Sequence, residues 1–141
     1  DMSSESRRAL GLACTLARLD ACHVRVLHAF DAAAMLGGLG LEGIDLSGVL
    51  EERLASSRAE FEAEMSAVDW NGVAHEVEFV EGSPVDSIRR AARGCDLVVM
   101  GTHGRTGLSA VLLGSTAYAM LKHAEKPVLV VRDPSRRFQH E

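Results

Sequence analysis

Residues 96–100 read Asp-Leu-Val-Val-Met and run straight into Gly101. A short run that is apolar at both parities fits an interior strand of a parallel sheet, covered on both faces. The stretches around it alternate as such a sheet requires. Residues 3–19 carry a wide apolar stripe at helical spacing, and residues 23–30 (HVRVLHAF) form a short β-rich run. Residues 31–47 hold Gly37, Gly38, Gly40 and Gly43, which predicts a flexible excursion able to cover a site. A helix is expected over 47–68 with Ser47 as its cap, followed by an alternating strand over 73–80 at a sheet edge. Ser83 then caps a helix opened by Pro84, with Asp86 in its first turn and Gly94 at its end. After the glycine-punctuated loop come a helix from Gly114 to about His123 and a last strand over 127–131 (PVLVV), then a polar tail expected to fray. Strands alternating with helices predict an α/β fold with a doubly wound parallel sheet.

Composition bounds the rest. The 141 residues leave room for one domain, 1–141, with its own core. Twenty acidic against fifteen basic residues give a net charge of −5, unlike the basic footprint of a nucleic-acid binder. Cys14, Cys22 and Cys95 are odd in number and without C-x-x-C spacing, so they read as reduced thiols. No apolar stretch is long enough to span a membrane and no leader pattern opens the chain, so a cytoplasmic protein without membrane partners is expected.

The chemistry concentrates between Met100 and Thr116. Gly101 and Gly104 would let the backbone turn at the strand's carboxyl end and approach a ligand where a Cβ would intrude. Gly114-Ser115-Thr116 opens the next helix, whose first N–H groups and positive dipole end favour an anion. Together they form a candidate phosphate cradle, at the place where open α/β sheets take their ligands. Neither a P-loop nor G-x-G-x-x-G is present. On spacing alone the same glycines could serve only turns and caps.

The pattern G-x2-G-x9-G-[ST], formed by Gly101, Gly104, Gly114 and Ser115, resembles the nucleotide-binding signature of the universal stress protein family. Around it VLHAF, EGSP, DLVVMGTHG and PVLVV stand in that family's order, so the resemblance covers nearly the whole chain. It implies a five-stranded parallel sheet of order 3-2-1-4-5, of the adenine nucleotide α-hydrolase type, with frequent dimerisation and ATP as ligand, accompanied or not by magnesium. It places Asp1 near the ribose and adenine and Ala29 where the backbone meets the adenine. Met100, Gly101 and Gly104 would line the ribose and phosphate side, and Gly114, Ser115 and Thr116 would hold the phosphates. Arg105 could pair with a phosphate, although a solvated loop arginine fits as well. His103 joins this loop as a lining residue, since no carboxylate near it in sequence orients it for catalysis. The family's first strand ends at the Asp matched here by Asp1, so a central apolar strand of about 5 to 8 residues is expected ahead of it.

The remaining features read structurally. Cys14 and Cys95 suit small packed residues. Glu76 and Glu78 share a strand face and could pair on a metal, but a solvated edge explains them more simply. Arg89, Arg90 and Arg93 suit the end of a helix. The strand over Val128–Val131 is apolar at both parities although the expected order puts it at an edge, which predicts a homodimer through that strand. No nucleophile, base and orienting group stand out as a set. The leading function is a nucleotide-dependent stress-response module. The alternatives are a slow ATP hydrolase or adenylyl-transferring enzyme on the same sheet, and a ligand-free interaction module.

Overall fold

The computed structural model describes residues 1–37, 45–102 and 113–132. Its first helix, α1 (Ser4–Asp20), is capped by Ser3, whose hydroxyl accepts the Ser6 N–H at 3.1 Å. It ends at Ala21, which takes a left-handed conformation (φ 49°). Strand β1 (Val24–Phe30) follows. The expected excursion then begins with a short helix, α2 (Ala32–Gly37). The Asp31 carboxylate accepts the Ala34 N–H at 2.9 Å, and the Ala-Ala-Ala-Met-Leu run behind this cap has high helix propensity.

Helix α3 (Ser47–Ser66) starts where expected with a different cap. Leu46 is the capping residue, and Ser47 donates its N–H to the Asp45 carboxylate at 3.0 Å. The bonds from Ser47 hold the Asp45 carboxyl below the usual carboxylate range. Strand β2 (His75–Glu81) is exposed along most of its length, Val77 included, as an edge strand. Helix α4 (Pro84–Ala92) keeps its predicted boundaries, with Ser83 accepting the Asp86 N–H, Pro84 in the first turn and Gly94 beyond its end. Strand β3 (Val98–Gly101), helix α5 (Ser115–His123) and strand β4 (Val128–Val131) complete the described elements.

The four described strands form two parallel pairs. β1 pairs with β2 from Val24 opposite His75 to Phe30 opposite Glu81. β3 pairs with β4 from Val98 opposite Val128 to Gly101 opposite Val131. β3 was expected to be covered on both faces; it is half-buried, and its described ladder is to β4. Helix α1 spans both pairs, packing on β1, β3 and β4, while α3 packs on β1 and β2 and α4 on β1 and α5. Cys14 and Ala17 of α1 meet Val24 and Val73 in a core that Leu10, Ala13, Val26 and Trp70 extend. On the other parity of β1, Arg25 pairs with Glu76 and reaches toward Gly94 past the end of α4.

Candidate functional site

A cavity of about 390 Å³ lies between the two strand pairs, with β1 along one side and β3 along the other. Seven of the ten residues expected at the site line it: Asp1, Ala29, Met100, Gly101, Gly114, Ser115 and Thr116. They come from three separate regions of the sequence, brought together at the carboxyl ends of β1 and β3 and at the starts of α1 and α5. His103, Gly104 and Arg105 lie outside the described residues.

Thr102 ties the two ends of the glycine segment together. It donates its N–H to Val131 at 2.9 Å and accepts the Gly114 N–H on its carbonyl at 2.7 Å. This bond sets the start of α5 directly beside the end of β3. Gly114 caps α5 without a side chain, so the first N–H groups of the helix open toward the cavity and favour an anion there. Its φ of −57° is one that any residue adopts, so backbone freedom does not by itself call for glycine at this position.

Gly101 answers to a different neighbour. A Cβ built on it would fall 2.7 Å from Cβ of Glu5, 3.0 Å from its carbonyl carbon and 3.2 Å from the Ser6 nitrogen. The close approach expected here toward a ligand is made by the first turn of α1. That turn brings polar groups with it: Asp1 accepts the Ser3 N–H at 3.2 Å and the Ser3 hydroxyl at 2.7 Å, and the Ser6 hydroxyl bonds the same carboxylate. Glu5, 1% exposed, accepts from the Ser4 hydroxyl at 2.9 Å.

Sequence reasoning missed Glu5, Ser6 and Thr102. Polar residues in a helical first turn carry no signal of burial, and Thr102 acts here through its backbone. Arg7 also lines the cavity and forms a two-point pair with Glu64 of α3, at 2.8 and 3.2 Å. The hydrogen bond and charge of Glu64 raise the pKa of the Arg7 guanidinium further. Much of the remaining wall is apolar, from Ala9, Leu10, Val26, Leu27, Ile88 and Val99. The site thus has a polar end that suits an anionic group and an apolar body between the strand pairs.

The family model for universal stress proteins matches residues 1–132. The chain belongs to the universal stress protein family. A universal stress protein of Thermus aquaticus is 32% identical over 135 residues, covering 94% of this chain and 93% of the relative. Universal stress protein MJ0531 of Methanocaldococcus jannaschii is 46% identical over 72 residues, which is 50% of this chain and 42% of that protein's length. Among solved structures, UspA of Lactobacillus plantarum superposes with a TM-score of 0.80 at 24% identity, over 94% of this chain and 92% of that one. A universal stress protein in complex with cAMP superposes with a TM-score of 0.57 at 22% identity, over 94% and 90% of the two chains. These likenesses show the α/β universal stress protein fold. Among the described residues no helix is long and apolar enough to cross a membrane.

Proposed function

We infer that this universal stress protein binds an adenine nucleotide, with ATP as the ligand that best suits its site, and acts as a nucleotide-dependent module of the stress response in the cytoplasm. The observation that carries this reading is the convergence of Asp1, Ala29, Met100, Gly101 and Gly114–Thr116 on one cavity, with the open N-terminus of α5 at its polar end. The phosphates belong at Gly114, Ser115 and Thr116, where N–H groups, two hydroxyls and the helix dipole supply donors. The nucleoside belongs toward Ala29, with the Asp1 carboxylate as the acceptor for ribose or adenine. His103, Gly104 and Arg105 complete the loop in this reading. Magnesium, where it takes part, would enter with the triphosphate.

Two architectural features belong to the same reading. The apolar part of the cavity, between β1 and β3, supports a fifth, central strand pairing with both, which gives the order 3-2-1-4-5 of an adenine nucleotide α-hydrolase-like domain over 1–141 and leaves the polar end at Asp1, Ala29 and Gly114–Thr116 to the nucleotide. The apolar β4 edge, with Leu129 37% exposed, supports a homodimer through that strand.

One observation favours a ligand-free module instead: Gly101 is required by helix packing whether or not a nucleotide binds. Calorimetric titration of ATP into the wild type, Ser115→Ala and Gly114→Val separates the two readings. Ser115→Ala should weaken binding by about 1.5 to 3 kcal/mol, one hydroxyl donor to a charged group. Gly114→Val should abolish measurable binding, because its branched side chain fills the phosphate path while φ remains allowed. No measurable binding in any of the three, each folded by circular dichroism, would leave the ligand-free module, and equal measurable affinities in all three would remove the phosphate cradle.

A further inference from the structure

The chain carries a net charge of −5, yet cations gather where two of its helices end. Arg89, Arg90 and Arg93 stand at the end of α4, and Lys122, His123 and Lys126 at the end of α5 and just beyond it. The two helices pack against each other. Arg89 and Arg93 are four residues apart and so share one side of α4. Together with Lys126 they line a shallow depression of about 20 Å³ between the helices, to which Ala92, Met120, Ala124 and Glu125 also contribute. Its floor is apolar, since Met120 and Ala92 are buried.

Cations in the last turn of a helix balance the negative end of its dipole. That need is met inside the helices, by Arg89 and Arg90 in α4 and by Lys122 and His123 in α5. Arg93 and Lys126 follow those turns and add to them. Among the described residues no ion pair or hydrogen bond engages the side chains of Arg89, Arg93 or Lys126. The positive charge of the depression is therefore available to a second molecule. We propose that it is a docking surface for an acidic peptide segment of a partner protein, with a Glu or Asp side chain seated among Arg89, Arg93 and Lys126.

Three features select this occupant. The guanidinium groups of Arg89 and Arg93 present forked donors that match a carboxylate, and the apolar floor suits the methylene groups behind it. The depression has room for one group about the size of a water molecule, enough for the end of a carboxylate and far too little for a nucleotide. Glu125 stands in the same rim. Its carboxylate repels a phosphate dianion more than a carboxylate monoanion, and it accepts a peptide N–H, a donor that a phosphodiester backbone lacks. The negative charge of the rest of the chain also opposes a long nucleic acid. This surface is separate from the cavity between β1 and β3 and does not depend on what binds there.

The test titrates an acetylated and amidated hexaglutamate peptide into the ¹⁵N-labelled whole chain at low salt. Saturable amide shifts are expected at Arg89, Arg93, Ala124 and Lys126. Exposed ion pairs of this kind predict that Arg89→Gln, Arg93→Gln and Lys126→Gln each weaken binding by about threefold and together by about twentyfold to thirtyfold. Arg53→Gln, at an exposed arginine of α3, is the control and should leave the affinity unchanged. Inorganic phosphate and a uridine hexanucleotide, titrated in parallel, should reach these amides only at higher concentration than the peptide. A triple variant that binds as the wild type does, or an Arg53→Gln loss equal to that of Arg93→Gln, would overturn the site. Phosphate or the hexanucleotide saturating the same amides before the peptide would overturn the acidic-peptide assignment.

Discussion

Replacing Gly101 with alanine probes the joint on which the site is built. The added methyl meets Glu5 at 2.7 Å through Cβ and 3.0 Å through the carbonyl carbon, and the Ser6 nitrogen at 3.2 Å. Two of those three atoms are backbone, so no rotamer change relieves the clash. Restoring ordinary carbon contacts requires the first turn of α1 to retreat by about 1 Å. Overpacking of this kind costs about 1 to 3 kcal/mol. The stiffer alanine recovers about 0.5 to 1 kcal/mol of that through the unfolded chain. Taking the middle of each range, the net loss is about 1.2 kcal/mol, equivalent to a melting temperature lower by about 4 °C for a chain of this size. Urea unfolding followed by circular dichroism measures it. Gly11→Ala is the matched control: it lies within α1 with nothing within 4 Å of its built Cβ, and it should gain about 0.5 to 1 kcal/mol. The retreat also carries Asp1 and Ser6 away from Gly114–Thr116, so ATP affinity should fall with stability. A Gly101→Ala protein as stable as the wild type would refute the packing argument.

Three further outcomes follow from local geometry. Leu129→Lys should shift a dimer to monomer in sedimentation with the fold retained; Val130→Lys should do the same with an added loss of stability, since Val130 is half-buried opposite Met100, and an unchanged sedimentation coefficient for Leu129→Lys would remove the β4 interface. Ala21→Gly should raise the unfolding free energy by a few tenths to about 1 kcal/mol, because Ala21 holds the left-handed conformation that closes α1; a loss of stability on urea unfolding would contradict this. Toward a thiol reagent at pH 8 Cys22 should react first, while Cys14, buried and with its thiol pKa pushed up by desolvation, should react only on unfolding; Cys14 modified at the rate of Cys22 would show that its burial is wrongly assigned.

The sequence was legible where one element carries its own signal. Ser83, Pro84, Asp86 and Gly94 mark α4 because caps and proline act within a few residues. The Val-Val-Met run marks β3 because an apolar run at both parities suits few other structures. The short helix at 32–37 was hidden by the glycines that follow, which drew attention from the Asp31 cap and the alanine run. Ser47 was read as a cap because it is a good capping residue, whereas Asp45, two positions earlier, accepts the bond. Seven of the expected site residues share one cavity because they stand at strand ends and helix starts. What could not be read was which part of the chain comes close to which. Gly101 signals that something approaches it, and only the packing of α1 identifies Glu5 and Ser6. His28 looked like an ordinary member of an apolar strand until Phe61 and Phe79 closed around it.

Amide NMR of the uniformly ¹⁵N-labelled chain titrated with ATP tests the nucleotide reading most directly, because it reports where a ligand sits as well as whether it binds. The account predicts saturable shifts at Ala29, Gly101, Thr102 and the α5 amides Ser115, Thr116 and Ala117, with the resonances of the α4 end and β2 unmoved. Spectra unchanged at millimolar ATP, or shifts confined to residues outside the cavity, would contradict it.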